Sequence, residues 1–242
     1  MKNNAKRFAS IVGIGLALIM PMNKTFADSE SKAFADSERA KSEDSDSLKQ
    51  LSAEWWQWAL SIPTGENPLL DTNGDNSMIG QHGPVWFLAG FFGQGTVART
   101  CSVPEGKSLY FPVINNVILN SPNVCGQGAS MSVKELRAAV APYIDAAANL
   151  SVTVDGVPIK DVRRVKSEVF AAALPKDNVF VAPCGGDSPE GIYSPAVDDG
   201  FYVSLKPLSV GPHAIHFHAE SPAGTIVQDV TYNITVVPVK LK

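Results

Sequence analysis

Three of the chain's four histidines lie within six residues, in His213-Ala214-Ile215-His216-Phe217-His218-Ala219-Glu220. Read as a β-strand, the segment puts Ile215 and Phe217 on one face and His216, His218 and Glu220 on the other, the two imidazoles about 7 Å apart along the backbone. Two imidazoles and a carboxylate, with water in the remaining positions, suit Zn, Cu or Fe. Alternation removes His213 from the set. A further ligand must then come from a distant segment, and His82 is the only histidine outside the strand. The competing reading is an outer strand whose solvent face is simply polar.

Other candidates follow along the chain. Asp71, Asn73 and Asp75 alternate as oxygen ligands do in calcium loops, but the positions that a hand-type loop gives to Gly and Glu are held by Asn76 and His82. Asp/Asn/Gly clusters are also ordinary turn composition. Trp56 stands apart from the apolar stripe of its helix and is the candidate for stacking on a ligand. The three cysteines, Cys101, Cys125 and Cys184, allow one disulfide and one thiol; the loop settings of Val124-Cys125-Gly126 and Pro183-Cys184-Gly185 favour Cys125 with Cys184. Asp198-Asp199-Gly200 reads as a turn before a strand, and Tyr193-Ser194-Pro195 as a loop. No G-x-S-x-G elbow, H-E-x-x-H helix or phosphate loop is present.

The ends of the chain bear on location. Lys2, Lys6 and Arg7 precede an apolar run from Ala9 to Met20, then Thr25-Phe26-Ala27, the order of a secretory signal peptide over 1–27. The run is too short to span a membrane, which takes about 20 residues, so no transmembrane segment is expected in the mature chain. That chain is expected in the periplasm or secreted. Removing 1–27 leaves 16 basic against 24 acidic residues, net −8, which argues against nucleic acid as a partner. Residues 28–47, polar with a single aromatic, read as a disordered acidic leader.

Residues 48–242 then form one expected domain. Ser47-Leu48-Lys49-Gln50 fits a capping box that opens a helix over 48–62, stopped by Pro63, and Ser132-Val133-Lys134-Glu135 opens another over 133–148. Val85–Ala89, Thr96–Val103 and Ser108–Ile114 read as strands, the last two as a hairpin through Pro104-Glu105-Gly106. Val152–Ile159 is a hairpin turning at Asp155-Gly156. Further strands are expected at Val179–Ala182, Phe201–Leu205, His213–Ala219 and Thr225–Val237. Many short strands and two helices that do not alternate with them predict a mainly β fold, a β-sandwich or jelly roll with an N-terminal helix and one helical insertion.

Gly211, His216-Phe217-His218, Glu220 and Gly224 resemble the first motif of the cupins, metal-binding jelly rolls. In this chain the glutamate comes early, and no histidine follows His218. Over a longer span, the tryptophan-rich helix, Gly83-Pro84-Val85-Trp86-Phe87-Leu88-Ala89-Gly90 and Cys101-Ser102-Val103-Pro104-Glu105-Gly106-Lys107 resemble a group of uncharacterised exported bacterial proteins. That resemblance implies secretion and a single compact unit, and no activity. The leading expectation is a non-catalytic exported β-sandwich that binds an envelope or extracellular ligand, a glycan being one class, through loops and aromatics such as Trp56. The rival is a cupin-like metalloprotein using His216, His218 and Glu220. A structural or assembly protein joined through the aromatic helix is the third.

Overall fold

Between Lys24 and Ser61 the chain holds no Gly or Pro, the residues most unfavourable within a helix. In the computed structural model, which describes residues 24–93, 95–221 and 226–239, this segment is one helix, α1 (Lys24–Ser61). The stretch 28–47, expected to be disordered, is therefore helical backbone, and Ser47, expected to cap a helix start, lies within the helix. Most of the expected signal peptide, residues 1–23, lies outside the described residues.

Asp44–Lys242 form one compact unit. Its strands are β1 (Val85–Phe87), β2 (Gly95–Pro104), β3 (Ser108–Leu119), β4 (Ala148–Val154), β5 (Val157–Pro158), β6 (Arg163–Lys166), β7 (Phe170–Leu174), β8 (Gly191–Leu205), β9 (Gly211–Ser221) and β10 (Ile226–Val237), with helix α2 (Val133–Asp145) between β3 and β4. They make two five-stranded sheets. One has the order β1-β3-β8-β6, with β7 also on β8; the other runs β2-β10-β9-β4-β5. Phe111, Val113 and Val203 of the first sheet meet Val152, Ile215, Phe217 and Tyr232 of the second in the inner core. This is a mainly β sandwich, as the strand pattern predicts.

The first sheet is buried on its other face too. Tyr110, Ala172, Ala196 and Tyr202 pack there against Trp55, Trp56, Trp58 and Leu60 of α1. Only Gln57 and Ser61 of the helix's last turns are exposed, and a helix apolar on nearly all sides is one that other elements surround. Each indole of α1 finds an acceptor: Trp55 donates to the Leu88 carbonyl (3.0 Å), Trp58 to Ile79 (2.8 Å) and Trp56 to Asp198 (2.7 Å). The helix end is closed by fully buried Asn67, whose Nδ2 donates to the carbonyls of Ala59 (2.8 Å) and Ile62 (2.7 Å). Those carbonyls have no partner within the helix.

Several local expectations need correction. The 96–114 segment is not a hairpin: β2 pairs in parallel with β10, β3 pairs with β8, and Pro104-Glu105-Gly106 crosses between the sheets. Both strands are buried by the same sandwich, and contiguity in sequence says nothing about which sheet each joins. Val179–Ala182 forms turns about Asn178 instead of a strand. Asp198 and Asp199 lie within β8, fully buried, and not in a turn. The 152–159 hairpin forms, with Asp155 (φ 52°) and Gly156 (φ 76°) supplying the left-handed turn. α2 carries the expected capping box, Ser132 with Glu135, and ends at Asp145.

One buried cation fastens the loops to the second sheet. Arg99 of β2 is fully buried, and its guanidinium donates to the carbonyls of Asp71 (2.9 Å), Ala89 (2.6 Å) and Gly90 (3.0 Å) and to the Tyr232 hydroxyl (2.7 Å). Only the planar five-donor fork of arginine reaches so many acceptors from one stem. Arg99→Met leaves the Asp71 and Gly90 carbonyls without that donor, at about 1–3 kcal/mol each where they stay dry, while the Ala89 carbonyl keeps the Tyr232 hydroxyl (3.0 Å). The expected loss in urea unfolding is therefore at least about 2 kcal/mol; a loss below about 1 kcal/mol would show that water replaces the clamp.

Candidate functional site

The histidine strand folds as expected but gathers no metal site. β9 alternates, with Ile215 and Phe217 in the core and His216, His218 and Glu220 on the outer face. There the imidazoles are engaged by separate carboxylates. His216 Nε2 lies 2.7 Å from Asp229 Oδ1, and His218 Nε2 lies 3.3 Å from Glu220 Oε1. Asp229 and Glu220 are held in turn by Thr96 and Asn149. His82 sits in the loop before β1, bonded to the Gly80 carbonyl (3.0 Å). Among the described residues no group of three or more His, Cys, Asp or Glu side chains is placed to hold a metal ion. A flat two-strand ladder spreads its side chains along one plane, where ligand geometry needs them to converge.

The Asp71 loop is likewise closed on itself. The Asp71 carboxylate accepts the backbone N–H groups of Asn73 (2.9 Å), Gly74 (2.9 Å) and Asn76 (3.0 Å), and Asn73 Nδ2 donates to Asp75 (2.8 Å). Gly74 is obligatory: its φ is 103°, and an added Cβ would lie 2.3 Å from the Thr100 carbonyl oxygen. The oxygen pattern that resembles a calcium loop is here the wiring of a turn docked on β2.

Asp155, His213 and Ser209 form an arrangement that sequence inspection did not show. His213 Nδ1 is 2.7 Å from Asp155 Oδ2, and its Nε2 is 3.2 Å from Ser209 Oγ, the connectivity of a nucleophile relay. The same Nε2, however, lies 2.8 Å from the Ser209 carbonyl. A carbonyl only accepts, so Nε2 carries a proton, as does Nδ1 facing the carboxylate. The hydrogen bond to Asp155, and secondly that to the Ser209 carbonyl, raise the histidine above its ordinary pKa. An imidazolium has no lone pair for Ser209. The trio is a clamp on the turn before β9.

A cavity opens where the first sheet is incomplete. β1 pairs with β3 only over Ser108–Tyr110, so beyond Tyr110 that edge of β3 has no strand partner among the described residues. A bulge between Pro112 and Ile114 bends β3 at this point. The space, about 590 Å³, is walled by Trp56, Ile114, Val117, Phe91, Phe92 and Phe180, with Asn115, Asn116, Gln228 and Tyr143 as its polar side chains. No charged side chain lines it. The Phe91 loop is fixed by Gln228, which accepts from the Phe91 N–H (2.8 Å) and donates to its carbonyl (2.6 Å). Phe92 meets Phe180 edge-on at 6.1 Å, and the Phe180 loop is tied down by the Cys125–Cys184 disulfide, the pairing expected from their loop settings.

Behind the Trp56 wall stands Asp198. Its Oδ1 accepts from Trp56 Nε1 (2.7 Å) and from the Tyr202 hydroxyl (2.9 Å), which itself accepts from Asn115 Nδ2 (2.9 Å). Gly200 makes room for this approach: a Cβ there would lie 2.5 Å from the Cβ of Asn115. Oδ2 has no partner among the described residues. Burial raises the carboxyl well above its ordinary value, and the Trp56 and Tyr202 bonds only partly oppose this. Asp199, by contrast, is paired with Arg164 through two bonds, 2.9 and 2.8 Å. Trp56 is thus a buried wall, 5% exposed, and not the open stacking platform expected from the helix pattern. Sequence reading missed Asp198, Asn115 and the three phenylalanines. Its one usable signal was the apolar run on both sides of Asp198-Asp199, which marks a strand running through the pair.

Two pH dependences follow. Because Asp198 has a folded-state value above the ordinary 3.8, its contribution is full below 3.8 and declines as pH rises through the folded value. The stability of the native chain relative to Asp198→Asn should accordingly be highest in acid and fall toward neutrality in urea unfolding; a difference that grows with pH refutes the upward shift. For His213, raised from 6.5, the advantage over His213→Ala is full below 6.5 and disappears as pH climbs through the raised value. A pH-independent difference would remove the imidazolium clamp. No family model and no curated protein matches the chain. Among solved structures it has a slight likeness to the solution structure of amebosin, 13% identical over 60% of this chain and 99% of that one, with a TM-score of 0.18, too low to carry an argument on fold or function.

Proposed function

We propose that the protein is an exported, non-catalytic binding module that takes an uncharged, largely apolar ligand of the envelope or extracellular medium into the cavity beside Trp56. The observation that carries this reading is the cavity itself. Its volume falls in the range of small-molecule sites, its walls are aromatic and aliphatic, and its few polar side chains are three amides and Tyr143. Asn116 makes no side-chain hydrogen bond among the described residues and is partly exposed at this wall, so it can orient a carbonyl or hydroxyl. The apolar walls favour this ligand class over a glycan, whose hydroxyls would find few partners there. Export is supported by the basic and apolar order of the first residues and by the Cys125–Cys184 disulfide, a bond that persists in oxidising compartments. The polar face of His216, His218 and Glu220 has no part in this function.

The test is titration with the neutral dye N-phenyl-1-naphthylamine, followed by its enhanced emission and by energy transfer from tryptophan. Saturable one-to-one binding in the micromolar range, weakened at least about tenfold by Phe92→Asp, is expected for an apolar site with one wall made charged. Phe92 is 37% exposed, so the substitution alters the mouth and not the core. Absence of saturable binding to the native chain refutes the proposal.

A further inference from the structure

We infer that the cavity beside Trp56 is one half of a longer site, and that its ligand is an uncharged single-chain lipid, a monoacylglycerol in chemical class, whose chain passes Phe180 into a second cavity. The inference rests on the apolar-binding reading and specifies the ligand. The second cavity, about 390 Å³, is lined by Ile118, Leu119, Met131, Leu174 and Tyr193 together with the disulfide. Val117 and Phe180 belong to the walls of both cavities. Val117 is fixed in β3, whereas Phe180 stands on a loop. The backbone of that loop is held, with the Phe180 N–H on Asn178 Oδ1 (3.1 Å) and its carbonyl accepting from the Cys184 N–H (2.9 Å). Its ring is half-buried and packs edge-on against Phe92. A side-chain rotation of Phe180 therefore joins the two spaces without moving the loop, and rotations of this kind are fast.

Shape and charge then select the ligand. A compact molecule fills one cavity and gains nothing from the other, while a flexible chain uses both. No Asp, Glu, Lys, Arg or His lines either space. A carboxylate or ammonium brought in would lose its hydration with no ion to pair with. The polar side chains of both walls are neutral, and Asn116 of the first cavity, which makes no side-chain hydrogen bond among the described residues, suits an ester or hydroxyl group, whereas Ser121, Gln127 and Ser188 of the second are bonded to one another or to Asn120 and Asn178. The disulfide joins the Phe180 loop to the loop after β3, reinforced by the Cys125 N–H on Asp187 Oδ2 (3.0 Å), and so keeps the partition in place.

The experiment uses the full chain and 1-monoacylglycerols from eight to eighteen carbons, below their aggregation thresholds, displacing N-phenyl-1-naphthylamine. Affinity is expected to rise about threefold for each added methylene while the chain keeps finding apolar wall, continuing to about sixteen carbons. In Phe180→Trp, which thickens the partition, the rise should stop near about ten carbons; in Phe180→Ala it should persist. Palmitate at pH 8 should bind at least about tenfold more weakly than monopalmitin. Thermal melts establish that both variants fold. A native chain whose affinity is flat beyond about ten carbons, or that binds palmitate as well as monopalmitin, overturns the inference while leaving the apolar cavity standing. A dye that fails to bind removes the cavity reading itself.

Discussion

The bond from Trp56 Nε1 to Asp198 Oδ1, 2.7 Å long and buried, is the contact around which the unit is organised. It joins the last turns of α1 to the centre of β8, and β8 is the strand on which β3, β6 and β7 all pair. An indole N–H buried apart from this carboxyl would lack a partner, at a cost of about 1–3 kcal/mol. Together they allow a tryptophan-rich helix to lie flat on a sheet already covered on its far side. The consequence is a β-sandwich with a third layer, its first sheet apolar on both faces like the central sheet of an α/β protein, although its strands are mostly antiparallel.

That third layer explains the position of the cavity. β1 is three residues long because the chain must leave the sheet at Leu88 to run past α1, where Trp55 takes the Leu88 carbonyl and Arg99 takes those of Ala89 and Gly90. The sheet edge is left uncovered beyond Tyr110, and aromatic loops close over the gap. A recessed edge walled by Phe91, Phe92 and Phe180 is shielded from pairing with another chain, which an open edge invites. The same wall creates an apolar space without charge. The space arises from how the sheet is truncated.

The polar outer faces tell the opposite story. His216, His218 and Asp229 sit on a flat ladder, and each imidazole is matched to its own carboxylate. The Asp71 loop consumes its carboxylate on backbone amides, and the Ser209–His213–Asp155 trio directs its imidazole at a carbonyl. In each case residue types suited to chemistry are present, and the structure ties them into local hydrogen bonds.

The sequence by itself determined the periodic features. Strand alternation placed Ile215 and Phe217 inward and the histidines outward; Asp155-Gly156 set the hairpin; Ser132 and Glu135 set the start of α2; loop context favoured Cys125 with Cys184. These depend on neighbours within a few residues, or on turn chemistry that only certain side chains supply. What tertiary structure decided was everything set by distant partners. Trp56 lies off the apolar stripe, yet it is buried because Asp198, 142 residues away, accepts its N–H. The 96–114 segment divides between two sheets because β2 pairs with β10 and β3 with β8, and the Asp198 carboxyl is raised above its ordinary value because the elements around it bury it. Burial and long-range pairing are properties of the assembled layers, and a single chain read residue by residue carries the pattern of its faces but not the identity of what covers them.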